Sequence, residues 1–393
     1  MKEWLSPAAV LPTDRAHATL VGRIWSPGVD GPVLVWVKDD MLYDLSPVAA
    51  TSSDLLNLGD PVSAIRTAAN ALQPVTSVTQ ALSNAEPNGR NAREPWLIAP
   101  CDLQAIKASG VTFVASLLER VIEEQARGDA SRAQGLRTSI TSIIGDNLAN
   151  IRPGSAEAQR VKDVLIAQGV WSQYLEVGIG PDAEIFSKGQ PMSAVGTGAE
   201  VGIHPKSAWN NPEPEVVLAV NASARVVGAA LGNDVNLRDF EGRSALLLGK
   251  AKDNNASGAI GPFIRLFDEH FTLDTVRGCD LELRMYGTDN FTFTAQSSMS
   301  KISRDPLEIV DHTIGPYHQY PDGLMLFLGT MFAPTVDRFA PGKGFTHVVG
   351  DVVTVATPTL GTLVNRVNHC DKVAPWTFGT SALMRNLAHR RLL

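Results

Sequence analysis

The sequence predicts a mixed, β-rich α+β fold in which a coiled mixed or antiparallel sheet follows a smaller amino-terminal domain. Short apolar runs separated by Gly, Pro, Asn and Asp dominate from residue 173 onward, a pattern of many short strands rather than a doubly wound sheet. No GxGxxG follows a strand and opens a helix, and GxxxxGK[ST] is absent, so no nucleotide cofactor is expected. The polar run PNGRNAREP at 87–95 reads as a linker, which sets a small amino-terminal α/β domain at 1–95 and a larger main domain at 96–393.

Taken in order, residues 19–48 read as short strands, with GPVLVWVKDDMLYDL giving a branched and aromatic run, a charged turn and a second apolar run. Residues 50–98 change to helical fragments and loops. Residues 115–127 carry the longest helical signal, with Leu117, Leu118, Val121 and Ile122 forming an apolar stripe. Further helices are expected at 137–148 and 156–168, the latter opened by the Pro-Gly-Ser turn at 153–155 and closed near Gly169. Strands are then expected at 174–179, 215–220, 226–231, 281–286, 324–329 and 350–356.

The 393 residues exceed the ~100–200 of a typical domain and leave room for a sizeable core. Apolar residues make up 44% and charged residues 19%, which argues against extensive disorder. A net charge of -7 without a dense basic run disfavours a nucleic-acid partner. Cys101, Cys279 and Cys370 are widely spaced and odd in number, which argues against a disulfide scaffold and a thiolate zinc site. The amino terminus lacks an export pattern, and the most hydrophobic stretch, 324–334, is too short to span a bilayer. A soluble cytoplasmic protein is expected.

The sharpest local signal is Asn210-Asn211-Pro212-Glu213-Pro214-Glu215 before VVLAV. The prolines disfavour helix and bias the chain toward extended conformations. Residues two apart on an extended chain share a side, so Glu213 and Glu215 are expected to project together. Two crowded, buried carboxylates demand a counter-ion or a shared proton. Asp234, just after VVGAAL, is the third candidate, since a neighbouring strand would bring it beside the pair. Carboxylates without nearby histidine or thiolate point to Mg²⁺ or Mn²⁺ rather than zinc. The competing reading makes the glutamates a solvated edge and Asp234 a turn cap. Asp239 is read as a partner of Arg238 or Arg243 that holds the loop.

At these residues the sequence resembles the fumarylacetoacetate hydrolase superfamily. The likeness lies in Glu213-x-Glu215, the loop from Asn233 and Asp234 to Arg238 and Asp239, Lys252, the Gly261-Pro262 turn and Leu328-Gly329-Thr330, over roughly residues 100–390. The resemblance implies a coiled mixed β fold and a divalent cation on carboxylates, with reactions that cleave, decarboxylate, hydrate or dehydrate oxo acids. One departure matters. Where hydrolytic members carry His-x-x-Glu on a lid helix, this sequence has Ser116 and Glu119, and an unactivated serine is not a useful base at neutral pH. GVTFVASLLERVIEEQARGD, WSQYLEVGIGPDAEIFSKG, GNDVNLRDFEGRSALLLGKAKDNNAS and DGLMLFLGTMFAP are similar to bacterial 2-keto-3-deoxy-pentonate dehydratases.

That resemblance implies dehydration of a 2-keto-3-deoxy-D-xylonate or 2-keto-3-deoxy-L-arabinonate to 2,5-dioxopentanoate. Glu213, Glu215 and Asp234 would hold the cation, and Glu119 and Lys252 would carry protons in an unassigned order. Glu123 or Glu124 are alternatives to Glu119, and burial on lid closure is expected to raise the acid's pKa. Lys252 competes with a reading as a surface partner of Asp253. Ser116, Lys188, Arg238, Ser257, Thr330 and His318 are candidate substrate contacts. Trp209, Trp376 and Phe378 read as packing residues, and Asp182 as a turn residue. The runner-up activities are diketo-acid hydrolysis and oxaloacetate decarboxylation, and the non-enzymatic alternative is a small-acid sensor or structural protein. The resemblance further implies a homodimer or homotetramer.

Overall fold

The computed structural model describes residues 1–148 and 151–393. The chain opens with helix α1 (Pro7–Val10), strands β1 (Leu20–Ser26), β2 (Gly31–Lys38) and β3 (Met41–Asp44), helices α2 (Ser52–Leu56) and α3 (Pro61–Ala68), strand β4 (Pro74–Ser77) and helix α4 (Val78–Ser83). Strands β5 (Trp96–Ile98) and β6 (Ala105–Ser109) lead into a helical layer of α5 (Val114–Ala126), α6 (Ala130–Leu148), α7 (Ala156–Ala167) and α8 (Gln173–Ile179). Strands β7 (Ile185–Gly189), β8 (Glu200–Ile203), β9 (Asn210–Asn211), β10 (Pro214–Val220), β11 (Val226–Asp234) and β12 (Asn236–Leu237) follow, then helices α9 (Arg238–Glu241) and α10 (Leu248–Lys252). The remainder is β13 (Gly258–Leu266), α11 (Leu273–Arg277), β14 (Asp280–Tyr286), β15 (Thr292–Ser298), α12 (Pro306–Thr313), β16 (Leu324–Phe327), β17 (Val352–Thr357), β18 (Gly361–His369) and α13 (Thr380–His389).

The expected mixed sheet is present. One sheet of 11 strands runs β4-β3-β2-β1-β13-β11-β10-β16-β6-β7, with β5 also paired to β1. A second sheet of five strands runs β15-β14-β17-β18-β8. The β16–β6 and β18–β8 pairs are parallel, among otherwise antiparallel neighbours. Strand β10 explains why VVLAV is continuously apolar: both of its sides are covered. Val216, Leu218 and Val220 pack with Leu281, Leu283 and Val355 of the second sheet. Val217 and Ala219 pack with Val21, Leu45 and Leu55 from the amino-terminal stretch. Residues on the two sides of the linker at 87–95 therefore share both a sheet and a core.

Helix α5 begins one residue before its expected start and ends at Ala126, where Arg127 caps it in the left-handed region at φ 55°. Helix α6 begins at Ala130, seven residues before its expected start. The expected strand at 174–179 is instead α8. Ser172 caps it, its hydroxyl accepting from the N–H groups of Tyr174 and Leu175 at 3.2 and 3.4 Å. A short apolar run does not distinguish strand from helix, and here the cap decides. Gly261-Pro262 lies inside β13 rather than in a turn. The register with β11 shifts there between Ala229 and Leu231, which accommodates a residue that cannot donate to the ladder. Among the described residues, no helix is long and apolar enough to cross a membrane.

Gly232 sits opposite Glu215 in the β10–β11 ladder. A Cβ at this position would fall against the Phe327 ring and 2.6 Å from Val217 Cγ2. Gly232→Ala is expected to lower stability by about 1–3 kcal/mol through overpacking, read from the urea midpoint. An unchanged midpoint would mean that this contact does not constrain the hairpin.

Candidate metal centre

The β10–β11 hairpin brings the acidic residues together. Pro214 pairs with Asn233 and Glu215 with Gly232, while the Asp234 N–H donates to the Glu213 carbonyl at 3.0 Å. Glu213 and Glu215 are two apart, and Asp234 is two from Gly232, so all three fall on one side of the hairpin. Their carboxylate oxygens lie within 4.8 Å of one another, and all three side chains are buried. The solvated-edge alternative is therefore excluded. Three oxygen donors suit a hard divalent cation.

Protein cations neutralise the cluster unevenly. The Lys252 ammonium donates to Glu213 Oε2 at 2.5 Å and to Asp234 Oδ2 at 3.2 Å. Lys188, buried on β7, lies 3.1 Å from Asp234 Oδ1 and donates to Ser257 Oγ and the Lys252 carbonyl. Glu215 forms no ion pair among the described residues; it accepts from the Gly329 N–H at 2.7 Å. Burial, then the charges of Asp234 and Glu213, push the Glu215 pKa well above the usual carboxylate range. A buried acid short of positive charge is the demand that a divalent ion meets. Gly329 itself sits at φ 97°, and a Cβ there would collide with Thr112 Oγ1.

Burial lowers the Lys188 pKa, whereas for Lys252 burial is outweighed by Asp234, Glu213 and Glu241, which raise it. Lys252 is thus held as an ammonium beneath the surface, not paired with Asp253.

Helix α5 joins the cluster through Arg120. Its guanidinium contacts Glu213 Oε1 at 2.5 Å, Glu123 Oε2 at 2.7 Å and Glu241 Oε2 at 3.1 Å. Glu123 also receives Arg238 Nε at 2.7 Å, and Arg238 Nη2 reaches Glu119 at 2.8 Å. Arg137 of α6 grips Glu119 through both oxygens at 2.8 and 2.9 Å. Burial raises the Glu119 pKa, but Arg137 and Arg238 outweigh it and hold the carboxyl below its ordinary value. The expected upward shift is therefore overturned in this geometry by two guanidinium groups. Glu119 and Glu123 are one turn apart and both turn inward, while Glu124 turns outward and accepts from Gln173.

The other expected residues separate into near and far. Ser257 bridges Lys188 and the Lys252 carbonyl. Ser116 is buried and donates to the Phe113 carbonyl, and Thr330 donates to the Phe332 carbonyl. Arg238 is buried and stacks over Trp209 at 4.3 Å, so Trp209 supports a cation as well as packing. Asp239 accepts from Ser207 Oγ and the Ala208 N–H, while Arg243 binds its carbonyl, so it braces the 207–208 turn rather than pairing through its carboxylate with either arginine. His318 is exposed and meets Tyr320 edge-on, away from these contacts. Sequence reasoning missed Arg120, Arg137, Glu184 and Glu241. Burial raises the Glu184 pKa and takes that of Glu241 to about 7, chiefly against the pull of Arg120. A signal for Arg120 was present: it adjoins Glu119 on a helix also carrying Glu123.

Arg120→Ala leaves Glu123, Glu213 and Glu241 without their shared cation and is expected to cost about 3–5 kcal/mol in urea unfolding, with part restored by a divalent cation. A loss below about 1 kcal/mol would show that the network relaxes without it. Because the folded pKa of Glu241 is raised, its stabilising contribution is fully present below the unfolded value near ~4.3 and is lost as pH rises through about 7. In chelator, Glu241→Gln should therefore gain stability relative to the parent protein as pH rises from 5 to 8, measured by denaturation at each pH (window ~5–8). A pH-independent difference would contradict the raised value.

Comparison with known proteins agrees with this arrangement. Residues 177–368 match the family described as fumarylacetoacetate (FAA) hydrolase C-terminal. The chain is 27% identical over 190 residues to 2-dehydro-3-deoxy-D-arabinonate dehydratase of Saccharolobus solfataricus, covering 48% of this chain and 60% of that protein. It is 25% identical over 194 residues to a probable 2-keto-3-deoxyxylonate dehydratase of Haloferax volcanii, covering 49% and 63%. The matches thus span about three fifths of the length of these curated relatives. In fold it resembles a solved 2-keto-3-deoxy-D-arabinonate dehydratase complexed with magnesium and 2,5-dioxopentanoate, with TM-score 0.58, 18% identity, and coverage of 89% of this chain and 99% of that one. The buried Glu213, Glu215 and Asp234 all lie inside the span, residues 177–368, that matches the fumarylacetoacetate hydrolase family.

Proposed function

We propose that this protein is a hydro-lyase that converts a 2-keto-3-deoxy-pentonate, the D-xylonate or L-arabinonate derivative, to 2,5-dioxopentanoate and water. The observation that carries this reading is the convergence of Glu213, Glu215 and Asp234 with two buried lysines in the superfamily domain. The similarity to two dehydratases supports dehydration among the reactions open to such a site. We assign the three carboxylates to Mg²⁺, with Mn²⁺ as the alternative, acting in the cytoplasm in a homodimer or homotetramer.

When bound, the cation would polarise a 2-oxo acid and make the hydrogens on C3 more acidic. Glu119, ionised through Arg137 and Arg238, is the base that takes the C3 proton. Lys252, kept charged by Glu213 and Asp234, is the acid that protonates the departing C4 hydroxyl. Water leaves with one hydrogen from C3 and the hydroxyl from C4. A proton shift from C5 to C3 then gives the C4–C5 enol, and transfer of its hydroxyl proton to C4 leaves the aldehyde at C5. Arg238, Lys188, Ser257, Thr330 and Ser116 are proposed substrate contacts, whereas His318, exposed beside Tyr320, is not among them. Of these, Arg238, Lys188 and Ser257 have direct hydrogen bonds or ion pairs to the residues of the charge network and support the role most strongly.

The deciding measurement is a metal-supplemented reaction with each purified 2-keto-3-deoxy-pentonate isomer, with products identified by mass. Formation of 2,5-dioxopentanoate, abolished by chelation and restored by Mg²⁺, is expected. Glycolaldehyde plus pyruvate would indicate aldol cleavage, and release of CO₂ from oxaloacetate would favour the decarboxylase. Cation-dependent binding of an oxo acid without turnover would favour a sensor. Glu119→Gln should lower kcat by about 10²–10⁴-fold with cation affinity nearly unchanged by calorimetry. Full activity would remove Glu119 from proton transfer.

A further inference from the structure

A cavity of about 230 Å³ lies against β1 and β5, lined by residues other than those of the carboxylate cluster. Trp25, Trp96, Trp376 and Phe378 form its aromatic walls, and Arg23 and Arg90 add two guanidinium groups. Trp25 and Trp96 are register partners whose rings lie 5.9 Å apart and within 18° of parallel. Phe378 meets Trp25 edge-on at 5.0 Å. Trp376, which donates to the Phe378 carbonyl, is 44% exposed.

Arg90 has no carboxylate partner among the described residues, and Arg23 has only a long ion pair with Asp102. Arg23 is buried on β1 and donates to the Cys101 carbonyl. Its nearest carboxylate contact is Asp102 at 3.9 Å, whose oxygens already accept from the Ser52 and Ser53 N–H groups. Arg90 donates to the Asn84 and Ala85 carbonyls and lies 4.6 Å over the Trp96 ring. It forms no ion pair with a carboxylate among the described residues, and burial pushes its pKa down to about 10. Glu200 also lines the cavity, but its carboxylate accepts from Asn368 at 3.0 Å rather than from either arginine.

Flat apolar walls beside a guanidinium that has no carboxylate partner complement a flat apolar anion: indoles stack on a ring, and guanidinium groups bind a carboxylate in a fork. We propose that this cavity is a second binding site, for a small planar aromatic carboxylate whose ring lies among Trp25, Trp96 and Trp376 and whose carboxylate faces Arg23 and Arg90. The volume suits a one- or two-ring acid, lying between the ~150 Å³ void that admits benzene and the ~300–1,000 Å³ pockets of drug-sized ligands. A polyhydroxylated oxo acid would leave these walls without apolar contact, so the site is independent of the dehydratase reading.

Calorimetric titration of the full chain with 2-naphthoate tests the proposal, with 2-naphthamide as the neutral control. Saturable binding of about one equivalent per chain is expected, weakened about tenfold or more for the amide and in Trp376→Ala. Circular dichroism checks that this half-exposed position tolerates the change. Lack of saturation by about 10 mM, equal affinity for the amide, or undiminished binding in both Trp376→Ala and Arg90→Gln would overturn it. An oligomer that dissociates on Trp376→Ala, with no 2-naphthoate bound by the parent protein, would also overturn it by showing that a second copy covers the cavity.

Discussion

The arrangement of the acidic site depends on Glu213 being held from two sides. Arg120 grips one oxygen from helix α5, and Lys252 grips the other from α10. This carboxylate joins the β10–β11 hairpin to both the helical layer and the loop beyond Asp234. Its burial makes each contact strong, and it makes each loss expensive. A divalent cation entering here competes with two resident positive charges. Arg120 has Glu123 and Glu241 as other partners, so its guanidinium has somewhere to turn when Glu213 is engaged elsewhere. Lys252 likewise retains Asp234.

How the charges are distributed matters as much as their number. Asp234 and Glu213 have direct cationic neighbours, while Glu215 relies on a backbone N–H. The acids with raised pKa values, Glu184, Glu215 and Glu241, are those whose burial is least compensated by nearby positive charge. The sheet makes this possible, because β10 and β11 are covered on both sides and keep water away from the hairpin. An apolar scaffold of this kind sharpens electrostatic differences that would fade in solvent.

Much of this is legible before any coordinates. Proline at 212 and 214 enforces an extended chain, so the common direction of Glu213 and Glu215 follows from spacing, and the hairpin to Asp234 follows from two apolar runs split by a turn. The mixed sheet is equally legible from the rhythm of short runs and breakers. Contacts across long sequence separations are not. Arg120 meets Glu213 across 93 positions, and Arg137 reaches Glu119 from a separate helix. Nor does spacing reveal that Trp209 stacks under Arg238. The run at 174–179 misleads because six apolar-rich residues are compatible with either period, and a single serine hydroxyl settles the matter.

The pairing of β1 with β13, through Leu20–Arg265 and Val21–Ile264, has a consequence for handling the chain. Severing it at the linker would strip β13 of its outer neighbour and uncover Ile264 and Ile260 where they pack with Val21 and Leu34. The fragment would then present open ladder groups beside a greasy surface, a template for edge-to-edge aggregation. The first ninety-odd residues are thus a covering that keeps the rest of the molecule from recruiting its own kind.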